Sequence, residues 1–308
     1  MDPSERTSKV ARFWDETTQE SFAPTTYWLA NPLVHTRYQH RATAGRSHHW
    51  VNYCIEGFLA ASQPVDRMLN VGCGDGQLDR HLLQLNAAER LDSIDISAKR
   101  IEEARRIANE QGLSRIQYHV QNAESAAFPS PPYGAVIMDS ALHHMEDLEA
   151  FLSKTAASLE PNGYLFLNEY VGPNRFDLSR REKDLVRACF TLIPERYRRS
   201  LQKGEEGRVL TEPWIPDPRA VAMEDPSESV RSQDIPSALL GSFEILEMHK
   251  AGGTLLHFVL HSIAGHFREE DPESMVVLRQ LFAIEDGLIE IGELDSHFVL
   301  VVARPKQG

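Results

Sequence analysis

The segment Gly72-Cys73-Gly74-Asp75-Gly76 sits between two kinds of pattern. Before it runs a short, largely apolar stretch, Arg67 to Val71. After it Leu78, Leu82, Leu83 and Leu85 recur at helical spacing. A tight glycine loop between a strand and a helix lets a ligand approach the backbone, because glycine has no Cβ and tolerates positive φ. The helix start then offers free N–H groups. Spacing narrows the ligand. A dinucleotide fingerprint needs G-x-G-x-x-G. Here the third glycine, Gly76, comes one residue early and Gln77 takes its place, which leaves less of a phosphate cradle.

The pattern then alternates. Leu91–Ile96 reads as a second strand, Ile116–Val120 as a third, Ala135–Met138 as a fourth and Tyr164–Leu167 as a fifth. Between them lie amphipathic stretches, one capped by Ser97 and closed by Gly112, another opened by Glu146 and Asp147. Phe243–Met248 and His297–Val302 read as two more strands, Leu255–Ile263 and 274–284 as helical. Strands alternating with helices predict an α/β fold, a mostly parallel sheet with helices on both faces. Four segments are expected: a helical N-terminal cap or lid at 1–55, an α/β core at 56–170, a partly helical insertion at 171–240 and the rest of the core at 241–308.

Charge and composition remove several function classes. Lys and Arg number 32 against 45 Asp and Glu, a net charge of −13. Such a surface disfavours nucleic acid and anionic membranes as partners. No apolar run reaches a membrane-spanning length of ~18 residues. Three cysteines without a C-x-x-C suit a reduced, cytoplasmic setting. His35, His40, His48 and His49 lack the i, i+4 pairing of helical metal ligands, so no metal site is expected. His257 and His261 read as core or surface residues. Arg175–Arg208 is locally basic, and its Arg196, Arg198 and Arg199 read mainly as a solvated face.

Asp95 closes the second strand, 19 residues after Gly76, where a carboxylate reaches ribose hydroxyls. Gln121-Asn122-Ala123-Glu124 follows the third strand and Asp139-Ser140-Ala141-Leu142-His143-His144 the fourth. Together with Leu159-Glu160-Pro161-Asn162-Gly163, these pieces resemble class I S-adenosylmethionine-dependent methyltransferases, over about residues 67–170 and the last strand. The resemblance implies a Rossmann-like seven-stranded sheet whose last strand is antiparallel and inserted beside 243–248. It implies S-adenosyl-L-methionine as cofactor and S-adenosyl-L-homocysteine as product. Gly72, Cys73, Gly74 and Gly76 would lie near its methionine part, and Asp95 on the ribose. Ile96 would pack on the adenine, Asn122 and Ala123 meet its edge, and Asp139 and Ser140 stand near the amino group and sulfur. Many members carry an acid where Asn122 stands.

The resemblance leaves the acceptor open: a small molecule, natural-product or sugar-like, methylated on oxygen, nitrogen or carbon. His143, His144 and Glu169 are the candidate catalytic groups. Tyr27, His35, Arg37 and Tyr38 from the lid and Arg196 from the insertion are candidate acceptor contacts. The competing reading is a non-catalytic protein that keeps the cofactor site or holds a partner. Monomer and homodimer are equally open.

Overall fold

The computed structural model describes residues 2–17, 23 and 25–307. The parts of the expected N-terminal lid that fall on residues 1, 18–22 and 24 lie outside them. Seven strands form one sheet: β1 (Val65–Val71), β2 (Ala88–Asp95), β3 (Ile116–Val120), β4 (Tyr133–Asp139), β5 (Leu159–Tyr170), β6 (Phe243–Gly252) and β7 (Phe298–Pro305). Their order is β3-β2-β1-β4-β5-β7-β6. β1 to β5 run parallel, and β7 is antiparallel to both β5 and β6. The expected insertion of the last strand beside 243–248 is therefore observed.

Each central strand is apolar on both faces because the sheet is covered twice. Met68, Ile137, Phe166, Leu300 and Val302 enter one core. The alternate residues Leu69, Val136, Leu165, Val299 and Val301 enter the other. The period of two along a strand sends neighbours to opposite faces. The first core is completed by α2 (Pro32–Ala42), α3 (Trp50–Cys54), α4 (Gln77–Gln84), α5 (Ala98–Glu110), α7 (Arg180–Thr191) and α11 (Pro272–Glu290). The second is covered by α6 (Leu148–Ser158) and α9 (Ile235–Ser242). The remaining helices are α1 (Pro3–Glu16), α8 (Pro218–Glu224) and the one-turn α10 (Leu256–Val259). The expected 255–263 helix stops there. Ser262 adopts φ +64°, and its backbone bonds to Thr26 and Leu201 instead.

The caps follow the sequence signals. Ser97 accepts from Arg100 N and starts α5, and Asp147 accepts from Ala150 N and starts α6. Ser179 and Glu182 form a reciprocal capping box on α7. Such caps are worth about 1 kcal/mol each.

Gly76 departs from expectation. It caps α4 at φ +77°, and a Cβ there would stand 2.3 Å from the Tyr118 hydroxyl. The third glycine is thus required by packing against β3, not by a ligand. Gly76→Ala is expected to cost about 2–4 kcal/mol, from left-handed strain plus overlap. Urea unfolding measures it, and Tyr118→Phe in the same background should restore part of the loss.

Candidate active site

The carboxyl ends of β1, β2, β4 and β5 open onto a cavity of about 1000 Å³. Open α/β sheets bind ligands there. Cavities for drug-sized ligands run roughly 300–1,000 Å³, so this one is large enough for two small molecules side by side.

One half is built on the glycine loop. Gly72 adopts φ +75°, and a Cβ on it would lie 2.6 Å from that of Ala141. Asp95 is fixed by two backbone donors, Gly74 N at 2.9 Å and Ser97 N at 2.8 Å. Its remaining lone pairs face the cavity. Burial pushes its pKa upward against those two bonds. Gly72, Gly74, Asp95, Ile96, Asn122, Ala123, Asp139 and Ser140 all line this half. Cys73 does not: it is buried in the core beneath the loop. Gly76 does not either, for the packing reason above.

Asp139 closes β4 with its side chain open to the cavity. Burial and the charge of Glu169 push its carboxyl to about 6, opposed by the Asn168 amide that donates to it at 2.8 Å. Ser140 beside it holds φ +54°, a conformation costing roughly 1 kcal/mol or more in a non-glycine residue. Its N–H reaches Asn168 O at 2.8 Å, which keeps the turn in place.

The other half is built on Glu169. This carboxylate is fully buried at the end of β5. One oxygen accepts from Ala141 N at 3.0 Å and Leu142 N at 2.7 Å. The other accepts from its own neighbour Tyr170 N at 2.8 Å and from His143 Nδ1 at 2.5 Å. Glu169 therefore stands behind His143 rather than in the cavity. His143 and His144 both line the cavity, with ring centroids 4.1 Å apart. Burial alone would lower His143. The charge and hydrogen bond of Glu169, with Glu228 and Asp225, outweigh it and raise the imidazole to about 9. His144 moves the other way, lowered by burial and by His143.

Among the expected acceptor contacts, Tyr27 lines the cavity. The others are placed elsewhere. His35 contacts Gln39 one turn on, at 3.1 Å. Tyr38 is buried and donates to Asn168 at 2.5 Å, so it supports Asp139 through one intermediate. Arg37 pairs with Glu285 at 2.8 Å and Asp286 at 2.5 Å. Arg196 pairs with Glu273 on the surface.

The structure adds residues that sequence reasoning missed. Arg6, Thr7, Val10 and Trp14 of α1 line the cavity. Asp15 holds that helix to the start of α5, taking Ser97 Oγ at 2.6 Å and Lys99 N at 3.1 Å. Asn122 reaches Thr7 Oγ1 at 3.2 Å. Arg175 donates to the carbonyls of Asp225, Pro226 and Glu228, folding residues 225–230 over the second half. This brings Ser227 and Glu228 to the cavity from within the 171–240 insertion. His257, read as a core residue, stacks on Trp28 and reaches the cavity too. Burial holds it neutral, near 3.

Residues 68–163 match a protein-family model described as a methyltransferase domain. That stretch, β1 to the start of β5, is similar to a methyltransferase domain. The chain is 33% identical over 109 residues to a ubiquinone biosynthesis O-methyltransferase from Chelativorans sp. (strain BNC1). That match covers 35% of this chain and 42% of the relative. A protein of the same name from Methylocella silvestris is 34% identical over 108 residues, covering 34% and 41%. The chain thus spans less than half the length of the curated relatives it matches. Among solved structures, geranyl diphosphate C-methyltransferase from Streptomyces coelicolor A3(2), bound to Mg²⁺, geranyl diphosphate and S-adenosyl-L-homocysteine, aligns at TM-score 0.55 with 14% identity. That alignment covers 99% of this chain and 100% of that one. The [4+2]-cyclase SpnF aligns at TM-score 0.52 with 18% identity, covering 98% and 97%. These likenesses show that the sheet and its additions share one fold around the methyltransferase domain.

The Arg37 pair has a testable consequence. Burial alone would raise Glu285, yet the Arg37 charge and the N–H groups of Leu255 and Leu256 hold it below the ordinary carboxylate range. Arg37→Met should cost about 3–5 kcal/mol in urea unfolding, because Glu285 is left buried and uncompensated. In the wild type that stabilisation persists above the ordinary carboxylate range and is lost only as pH falls through the depressed value. In the variant the orphaned carboxyl binds a proton earlier, so the gap narrows on acidification from about pH 7 to about pH 5.

Proposed function

We propose that this chain transfers the methyl group of S-adenosylmethionine to a small-molecule acceptor bound beside His143 and His144. The observation that carries the reading is one continuous cavity with two differently built halves. The first is a glycine loop with an anchored acid, Asp95. The second is an imidazole pair backed by Glu169.

The residues fit the cofactor. Gly72 clears the backbone on the side where a Cβ would already meet Ala141. Asp95 has lone pairs left for ribose hydroxyls. Asp139 is a cavity-facing carboxylate without a cation among its hydrogen-bond partners, suited to an ammonium group. Ile94, Ile96 and Ala123 give an apolar wall for a purine, and Asn122 stands at its edge. When bound, S-adenosylmethionine supplies a methyl group already activated on a sulfonium, so the protein chiefly aligns and desolvates. α1 closes the cofactor half against water through Val10 and Trp14.

The acceptor half suits a small, partly aromatic or apolar molecule with a polar group. Tyr27, Tyr170, His257 and Phe298 form its walls, and His143, His144 and Glu228 form its polar end. Nothing in that chamber is a basic track for a polynucleotide. Methylation of a hydroxyl is favoured over the other acceptor atoms by the imidazole pair and by the named relatives, which are O-methyltransferases.

Calorimetric titration with S-adenosylhomocysteine tests the cofactor half. The wild type should bind, and Asp95→Ala should weaken binding by about 10–100-fold, the loss of one or two hydrogen bonds to a charged group. Equal affinity would remove Asp95 from the ribose role. His144→Ala should bind the same ligand nearly as well. It should lose about 10²–10⁴-fold in turnover on whichever hydroxylated acceptor of a screening panel yields S-adenosylhomocysteine.

A further inference from the structure

The acceptor chamber gathers ligand-type atoms from neighbouring side chains, two of them also hydrogen-bonded: His144 Nδ1 lies 3.1 Å from Ser227 Oγ, and Glu228 Oε1 accepts from Ser229 Oγ at 2.6 Å. One such atom from each of His143, His144 and Glu228 lies within 4.8 Å of the others, the only such group among the described residues. His143 Nε2 stands 3.6 Å from Glu228 Oε1. His144 Nδ1 stands 3.8 Å from Asp225 Oδ2. Both gaps are too long for hydrogen bonds. Both are close to the roughly 3.4 Å that separates two ligands each about 2.1 Å from a tetrahedral ion. Asp225 is 2% exposed, and its Oδ2 is buried with no hydrogen-bond partner among the described residues. Its other oxygen is occupied, accepting from Ser227 N at 2.8 Å and Ser227 Oγ at 2.7 Å.

The supporting layer is in place as well. The Glu169 carboxylate can only accept, so His143 Nδ1 carries the proton between them, and Nε2, on the Glu228 side, is the nitrogen an ion would take by displacing its proton. A carboxylate on the far ring nitrogen is the usual companion of a metal-bound imidazole, because it fixes the tautomer and raises ligand basicity. The three acids around the pair, Glu169, Asp225 and Glu228, form a compact negative site. Arg175 approaches it only through backbone carbonyls.

We infer that His143, His144 and Glu228, with Asp225 beside them, hold a divalent transition-metal ion whose open positions face the acceptor chamber. Two imidazoles with a carboxylate suit zinc, iron, nickel or copper, whereas magnesium and calcium prefer all-oxygen shells. The ion site follows from the cluster itself. Its further role, taking an oxygen donor of the acceptor and fixing it beside the methyl group, rests on the methyl-transfer reading. This proposal departs from the expectation of no metal site. The N-terminal histidines gave no ligand spacing, and the cluster forms only when the 225–230 turn folds back over the His143-His144 segment.

The test uses the full chain, stripped with a chelator and titrated with Co²⁺ while the visible absorption of the bound ion is followed, then displaced with Zn²⁺. One equivalent should bind. Glu228→Gln, nearly isosteric, and His144→Ala should each weaken Co²⁺ about tenfold or more. Glu169→Gln should weaken it about 10–100-fold through its effect on the His143 ring. The exposed His48→Ala should not change it. Binding that stays below one equivalent in the wild type, or that survives both Glu228→Gln and His144→Ala, overturns the site. Calorimetry with S-adenosylhomocysteine on the same stripped wild type separates the two readings. Heat without Co²⁺ binding removes the ion and leaves the methyl-transfer reading standing. Co²⁺ binding without heat does the reverse.

Discussion

The buried carboxylate of Glu169 holds the working end of this molecule together. It lies on β5 yet accepts three backbone N–H groups and one imidazole, and two of those N–H groups belong to the turn after β4. A charge buried this completely is tolerable only when hydrogen bonds replace its water. Here all four donors are local, and all four are geometric constraints. They set the path of Ala141 and Leu142, and Ala141 is the residue against which Gly72 is packed. They also set the orientation of the His143 ring. One side chain thus links the glycine loop, the β4 turn and the polar end of the acceptor chamber, and each of those would be free to shift without it.

The cavity's charge is distributed to match what it encloses. Asp95 and Asp139 sit on the glycine-loop side, each raised by burial; both accept from neutral donors, and only Asp95 also feels a cation, Arg100. That arrangement leaves negative potential unspent and favours a cationic ligand. On the other side the acids surround imidazoles, and the two rings respond in opposite directions because only His143 has Glu169 behind it. Arg6 and Arg100 stand at the rim. Arg6 pairs with Glu146, while Arg100 lies over Trp14 and donates to carbonyls of the N-terminal segment. The cations therefore fasten the cover, and the acids face inward.

Much of the cofactor half was legible in the sequence because it is local. A strand, a glycine turn and a helix occupy consecutive residues, so Gly72, Gly74 and Asp95 announce themselves by spacing. The alternating strand pattern likewise pointed to the mostly parallel sheet, whereas the place of the last strand was implied only by the family resemblance. The acceptor half was legible only where it borrows from the same local units, as His143 and His144 do. Arg37 and Tyr38 illustrate the limit. A sequence shows a cation and a phenol near the N-terminus, but Glu285, the partner that claims Arg37, is 248 residues away. The 225–230 turn illustrates it again. Pro218, Pro226 and Pro236, in and beside it, mark a chain that bends often, yet its direction depends on the bonds that Arg175 makes to carbonyls, which leave no compositional trace.

The two covers of the cavity are not independent. α1 lies over the cofactor half, and the segment running from α8 through residue 230 lies over the acceptor half. They touch directly: Lys9 donates to Met223 O at 2.5 Å and Arg6 to Pro226 O at 3.4 Å. Both contacts join exposed or half-exposed groups, so each is worth little alone. Their value is geometric. With α1 seated by Asp15 on the start of α5, the 223–226 segment has a fixed partner, and Ser227 and Glu228 inherit their positions from it. Ordering one cover lowers the entropic cost of ordering the other. The N-terminal helix, far from His143 and His144 in sequence, thus bears on the geometry of the imidazole–carboxylate group as well as on the glycine-loop half of the cavity that it lines.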